Sequence, residues 1–462
     1  MQTPTKPLSQ RSLWQSNASA GASSINSLSK RSTWRDMSER RASRARFDSS
    51  SSTSSLNEGS AFQRTIDAIL SPSRLAGLDA ADVAPIPYDT YSFFSHILSV
   101  RGRNLSMVFS PLLLLLCWGV GWQLIFVYTD DNEIHDYLAS LQHLVLPILT
   151  PLSFLLTFRM GRAAVRFWDA RHSVGIIMGV CRANIATVSV GVISPIKANV
   201  KQVLQTKTTD DQSIDGESST QMPGDLKPEE DGSIELLCQY ARWLAVFPIA
   251  VNHHVRPQTR KGWNQEELYK KYRYEIGTLL SDCDAQKVIM TTDNERGLPS
   301  LSGGTRVRDS PLVVLNRLHQ LAYEIAYYQA YNNDRWSSAP IQAMFYQQIT
   351  NQLKELTDAY GAMERIKNTP LPFAYAIHLR TFLLLYLFLW NMISVAEYGW
   401  VSIPFLSLLN WALLGIEAAA VECESPFEYR ENHLALGKVA VLISRNIGQA
   451  LKELTDETVT AL

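Results

Sequence analysis

Residues Met107 to Val127 read MVFSPLLLLLCWGVGWQLIFV, 21 residues without a charged side chain. A helix of that length crosses a hydrocarbon core of ~30 Å. In lipid the backbone must satisfy its own hydrogen bonds, which restricts such a segment to a helix. A second uncharged block, Tyr137 to Phe158, follows a turn carrying Asp130, Asp131, Glu133 and Asp136. It contains Pro147 and Pro151, one helical turn apart. Each proline removes a backbone donor and kinks or breaks a helix. The freed carbonyls need partners or water, so this block faces protein or a water-filled path rather than lipid. The third and fourth blocks run from Thr381 to Ala420, broken once near Glu397-Tyr-Gly399-Trp400. The chain therefore reads as an integral membrane protein with four transmembrane helices in two hairpins.

Charge orients them. No Lys or Arg occurs between Asn104 and Phe158, and Arg159, Arg162, Arg166 and Arg171 then arrive together. Arg101 and Arg103 precede the first block, and Thr381 to Tyr429 is again free of Lys and Arg. The basic flanks stay on the cytoplasmic or stromal side. Both termini and the long middle region lie there, and the two short turns face away.

The rest of the chain divides by composition. Residues 1–84 are expected to form a disordered Ser/Arg-rich tail, since a run such as Asp48 to Ser55 has no apolar surface to bury. Its excess of basic residues suits a transit peptide or a cytosolic tail with basic kinase sites such as Arg40-Arg41-Ala42-Ser43. The membrane is thus a plasma membrane or endomembrane, or a chloroplast thylakoid. Residues 85–455 form the membrane domain proper. Its hairpins cover about 105–172 and 381–421, and its cytosolic helices about 173–370 and 430–455. Helical periodicity is clearest over Ile234–Val255, Gln265–Leu280, Leu312–Ala330 and Ile341–Ile366. Residues 206–233 read as a disordered acidic insertion, and 291–310 as a flexible loop. The fold class is all-α, a membrane part plus a large cytosolic helical bundle.

Several functions are excluded by pattern. With 43 Lys and Arg against 44 Asp and Glu, the chain has no basic bias toward nucleic acid. Its five cysteines contain no C-x-x-C pair, so no disulfide framework or zinc site is expected. His253 and His254 are adjacent and point about 100° apart on a helix, so they cannot share a metal. No Walker, G-x-G-x-x-G, H-E-x-x-H or G-x-S-x-G constellation occurs, so the chain is not expected to be an enzyme.

The residues that can carry chemistry lie at the end of the first hairpin. Thr150, Phe154 and Phe158 recur at four-residue spacing along one helix face. Such a stripe is either ordinary aromatic packing or the wall of a narrow path. Ring edges are electropositive, so they tolerate a passing anion. They also form an apolar constriction that gates by dewetting. Arg159, Arg162 and Arg166 at the basic end would raise the local anion concentration, or serve only as an orienting flank. Glu417 falls inside the fourth block, where a carboxylate marks a functional site or pairs with an arginine of a neighbouring helix.

The segment Pro151-Leu-Ser-Phe154-Leu-Leu-Thr-Phe158, followed by Val165-Arg166-Phe167-Trp168-Asp169-Ala170-Arg171, resembles the signature of bestrophin anion channels. The form Phe167-Trp168-Asp169-Ala170-Arg171 is closer to the plant, microbial and thylakoid branch. Arg242 to Pro248, His254-Val-Arg256, Leu371 to Tyr375, His378-Leu-Arg380, Gly415-Ile-Glu417, Ser425-Pro426-Phe427 and Asn432 to Leu436 resemble further family segments in the same order. The resemblance implies a homopentamer that passes chloride and other small anions through a neck of Thr150, Phe154 and Phe158. It also places a second, cytosolic aperture near Leu312. Thr150 stands where vertebrate relatives carry an aliphatic residue, which makes the first ring wetter. Calcium-gated relatives carry a dense acidic clasp after Pro-Phe-Gly. Here Glu424, Glu428, Glu431 and Asn432 could supply some oxygens, but Arg430 and His433 oppose a cation that wants six to eight of them. No cofactor is expected, and calcium is disfavoured. The alternatives are a bicarbonate channel of a thylakoid membrane and a non-conducting membrane scaffold or regulator.

Overall fold

The structure, a computed structural model, describes residues 61–81, 105–129, 132–210, 228–256, 265–293, 310–332 and 339–461. Everything described is helical or connects helices, as the sequence predicts.

The membrane part begins with α3 (Leu105–Thr129), preceded in the chain by two short helices, α1 (Ala61–Ile69) and α2 (Pro72–Ala81). The return stroke of the first hairpin is broken, as two prolines in an apolar stretch require. It runs through α4 (Asn132–Ser140), a single turn α5 (Gln142–Val145) and a 3-10 turn Leu146–Ile148 containing Pro147. It then continues as α6 (Leu149–Asp210), 62 residues long. Pro151 sits in the first turn of α6, where its missing N–H has no intrahelical acceptor to lose. α6 passes beyond the expected limit of the membrane hairpin at 172 without interruption, so one helix joins the membrane part to the bundle.

The second hairpin is α12 (Phe373–Tyr398) and α13 (Ser402–Glu424), joined through a 3-10 turn Gly399–Val401. Gly399 has φ 60° and ψ −143°, a conformation only glycine adopts without strain, which fixes the turn at the expected break. The four spans pack around Leu115, Leu152, Leu156, Leu383, Leu387 and Leu414. Outside this core α3 is openly apolar: Leu113, Leu114 and Ile125 are about half exposed, as a lipid-facing surface should be.

The extramembrane bundle is built around α7 (Pro228–Val255). By length and hydropathy its Gly232–Val255 stretch could also cross a membrane. Burial decides against that: 72% of its window lies inside the protein, against 17% for Met107–Thr129. Its faces are covered by α6, by α10 (Ser310–Asn332), by α14 (Leu436–Ala461) and by α1. A helix apolar all round is either in lipid or in a core, and α7 is the second case. The remaining helices are α8 (Gln265–Gly277), α9 (Asp282–Asp293) and α11 (Ala339–Asn368), the last lying along α6.

Two expectations change. Residues 61–81, expected to lie within a disordered tail, instead form α1 and α2 of the folded body, with Ile69 and Leu78 fully buried and Arg74 buried beside them. Phe62, Ile66 and Ile69 repeat at helical spacing and supply the apolar face that the serine-rich stretch lacks. Of the acidic insertion expected over 206–233, residues 206–210 and 228–233 are helical, and 211–227 lie outside the described residues. Most of the 291–310 loop lies outside them too, as do residues 1–60. All five cysteines are free thiols.

Candidate functional site

The first turns of α6 sort their side chains by face. Leu152 and Leu156 are 0% and 2% exposed and join the membrane core. Thr150, Ser153, Phe154, Thr157 and Phe158 are exposed, with Phe154 at 63% and Phe158 at 50%. The two rings meet edge to face, centroids 4.5 Å apart. The Thr157 hydroxyl donates to the Ser153 carbonyl at 2.8 Å, so it is spent on its own helix. The stripe is therefore uncharged, half polar and half aromatic, and not used in packing the described chain.

The three arginines do not form one basic vestibule. Arg159 is buried, and its Nη2 donates to Glu424 Oε2 at 2.7 Å while its Nε approaches Glu417 Oε2 at 3.4 Å. Two carboxylates compensate its charge, so it cannot act as a free anion attractor. Arg166 donates to the backbone carbonyls of Glu424 (2.9 Å), Thr369 (2.7 Å) and Ile366. Arg162 alone of the three is exposed.

Glu417 takes the second of its two expected roles. It accepts from Arg380 Nε at 2.8 Å on its other oxygen, so one carboxylate bridges arginines of α6 and α12. Sequence reasoning left Arg380 out of the site. The signal was present: Arg380 opens the third block and Glu417 closes the fourth, and antiparallel spans bring those ends to one side.

The residues suggested as a calcium clasp are engaged otherwise. Glu424 holds Arg159 and accepts from the Leu371 N–H at 3.3 Å. Glu428 pairs with Arg430 at 2.9 Å, and Arg430 also reaches Glu422 at 3.2 Å. His433 Nε2 lies 2.9 Å from the other Glu422 oxygen. Arginines already hold Glu424 and Glu428, so this donor set does not fit calcium. Leu312 lies in the first turn of α10, in the bundle, 37% exposed. His253 and His254 diverge as expected, toward Glu275 (2.9 Å) and Glu364 (3.7 Å) respectively.

These features define an all-helical integral membrane protein whose first hairpin ends in a broken, aromatic-faced helix anchored by buried ion pairs. The family model described as bacterial/fungal bestrophin protein matches residues 223–449. A voltage-dependent anion channel-forming protein of Synechocystis sp. is 24% identical over 372 residues, 77% of this chain and 94% of that protein. Another of Nostoc sp. is 42% identical over 99 residues, 21% of this chain and 32% of that protein. Crystal structures of two variants of a bacterial bestrophin homologue from Klebsiella pneumoniae share the fold. One is 16% identical with a TM-score of 0.51, covering 75% of this chain and 98% of the other. The second is 15% identical with a TM-score of 0.52, covering 75% and 99%. The chain is thus similar to the bestrophin family in sequence over residues 223–449 and in fold.

Proposed function

We propose that this chain is the subunit of an anion channel that passes chloride through a neck lined by Thr150, Phe154 and Phe158 from each copy of a homopentamer. One observation carries the reading. On a helix within the membrane part, the Leu152 and Leu156 face is fully packed while the Phe154 and Phe158 face is left open and uncharged. A lipid-facing stripe would not place Thr150, Ser153 and Thr157 among its members, and a lipid-buried one would not need Pro147 and Pro151. The relatives named as voltage-dependent anion channel-forming proteins support the same class. Leu312, at the start of α10, is assigned to a second constriction on the bundle side.

Passive conduction needs only a path whose walls do not hold the ion too tightly. Phenylalanine edges stabilise an anion weakly, and five copies would surround it. Thr150 offers a hydroxyl at the first ring. The test is planar-bilayer recording of purified protein in chloride, then in bicarbonate. An anion-selective current that changes in Phe154→Ala and Phe158→Ala is expected. A protein that carries neither anion, or whose current ignores both substitutions, would leave a scaffold as the better reading. Mass photometry of the detergent-solubilised protein checks the count of five.

A further inference from the structure

The exposed neck residue and the buried anchor are neighbours in sequence. Phe158 is half exposed and Arg159 is 1% exposed. Consecutive side chains on a helix stand about 100° apart, so a rotation of α6 by that angle would exchange them. The leucine packing on the inner face offers one resistance to such a turn.

The ion pairs offer a directional one. Arg159 reaches Glu417 and Glu424, which lie seven residues apart on α13. Seven residues further along α6, Arg166 donates to the carbonyl of the same Glu424. The two helices are thus pinned at two points separated by two turns, which sets both rotation and axial register. Arg380 holds Glu417 from α12 and extends the pinning to a third helix.

Stability alone does not explain this choice. Apolar residues of equal volume often replace a buried ion pair without loss. The arrangement also leaves Arg159 Nη1 buried without a partner. A charged fork costs desolvation, and what it gives in return is geometry.

We propose that Arg159, through Glu417 and Glu424, is the positioning residue of the neck: it holds α6 at the rotation that turns Phe158, and Phe154 one turn before it, toward the ion path. This rests on the channel reading above. Arg159 itself does not touch the ion.

The experiment uses the full-length protein in planar bilayers, with Phe158→Cys introduced so that a charged thiol reagent blocks current at the neck. Wild-type current must first prove insensitive to the reagent. Arg159→Gln is expected to change the rate of block by about fivefold or more, in the range typical of coupled sites, and to alter single-channel conductance. Arg159→Lys keeps the charge without the fork and is expected to restore part of both. Should Arg159→Gln fail to assemble, the paired Arg159→Gln/Glu417→Gln protein, which removes one buried charge of each sign, is measured instead. An assembled variant whose block rate and conductance match the parent overturns the inference, as does a failure of every residue-159 variant to assemble, which would make the contact purely structural. A channel in which Phe158→Ala alters current while the Arg159 variants do not leaves the channel reading standing and this inference fallen. A silent wild-type protein removes both.

Discussion

Asn391 and Asn410 face each other across the second hairpin, each donating through Nδ2 to the other's Oδ1 at 3.2 Å. Asn391 Nδ2 also donates to the Leu387 carbonyl at 2.7 Å. The pair is 2% and 1% exposed, and α3 closes over it: a Cβ on Gly119 would stand 3.7 Å from Asn391 Oδ1. Replacing Asn410 by leucine keeps the volume and removes both cross-helix bonds. Interhelical hydrogen bonds within membranes average about 0.6 kcal/mol each, so the two contribute about 1 kcal/mol. The larger effect is on the residue left behind. Asn391 Oδ1 then faces apolar surroundings, and an unsatisfied buried acceptor costs about 1–3 kcal/mol. Asn410→Leu should therefore destabilise the protein by about 2–4 kcal/mol. The double variant Asn391→Leu/Asn410→Leu leaves no orphaned amide and should recover most of that loss, finishing within about 1 kcal/mol of the parent. The assay is reversible unfolding in mixed micelles of rising SDS fraction, followed by tryptophan fluorescence. A double variant less stable than either single one, or an Asn410→Leu protein as stable as the parent, would refute the reasoning.

Three further outcomes follow from packing and charge. A Cβ at Gly191 would collide with the Phe345 ring, so Gly191→Ala should destabilise by about 1–3 kcal/mol despite alanine's better helix propensity, with Phe345→Leu in the same chain recovering part of it; thermal melting in detergent reads both. Leu78 is fully buried, so Leu78→Ala should lower stability by about 2–5 kcal/mol in the same assay, which a residue in a loose tail could not do. Burial alone would raise the carboxyl of Glu275, but the hydrogen bond and charge of His253 and the ammonium of Lys271 more than offset it, holding the group below the ordinary carboxylate range. A depressed carboxyl stabilises the fold above its unfolded pKa of about 4.3 and loses that contribution as pH falls through the lower folded value. Glu275→Gln should therefore melt well below the parent at pH 7, by about 3 kcal/mol or more for a broken buried pair, and the gap should close in acid below about pH 4.

The membrane part was readable because lipid leaves few solutions. Uncharged blocks of sufficient length, interrupted by Pro147 and by Gly399, specify spans and breaks without any knowledge of tertiary contacts. The bundle was less readable. α7 has enough hydropathy to pass for a span, and only the helices packed on every side of it show where its apolar surface goes. α1 and α2 were hidden by the serine-rich stretch before them. Their apolar residues are few, and their burial depends on α7 and α14, far away in the chain. Arg242, for example, reaches Thr65 across 177 residues at 2.6 Å.

The arginines show where sequence reading of a site must stop. Arg159, Arg162 and Arg166 lie within eight residues and carry the same charge. Charge counting therefore treats them alike, as a flank or as a vestibule. The structure gives each a different position: Arg159 buried between two carboxylates, Arg162 in the open, Arg166 fastened to backbone carbonyls. The difference is set by partners 258 and 265 positions away from Arg159, beyond the reach of any local pattern. It also reverses the part Arg159 can play. A cation already matched by Glu417 and Glu424 adds little to the field along the stripe; what its ion pairs hold is the contact between α6 and α13.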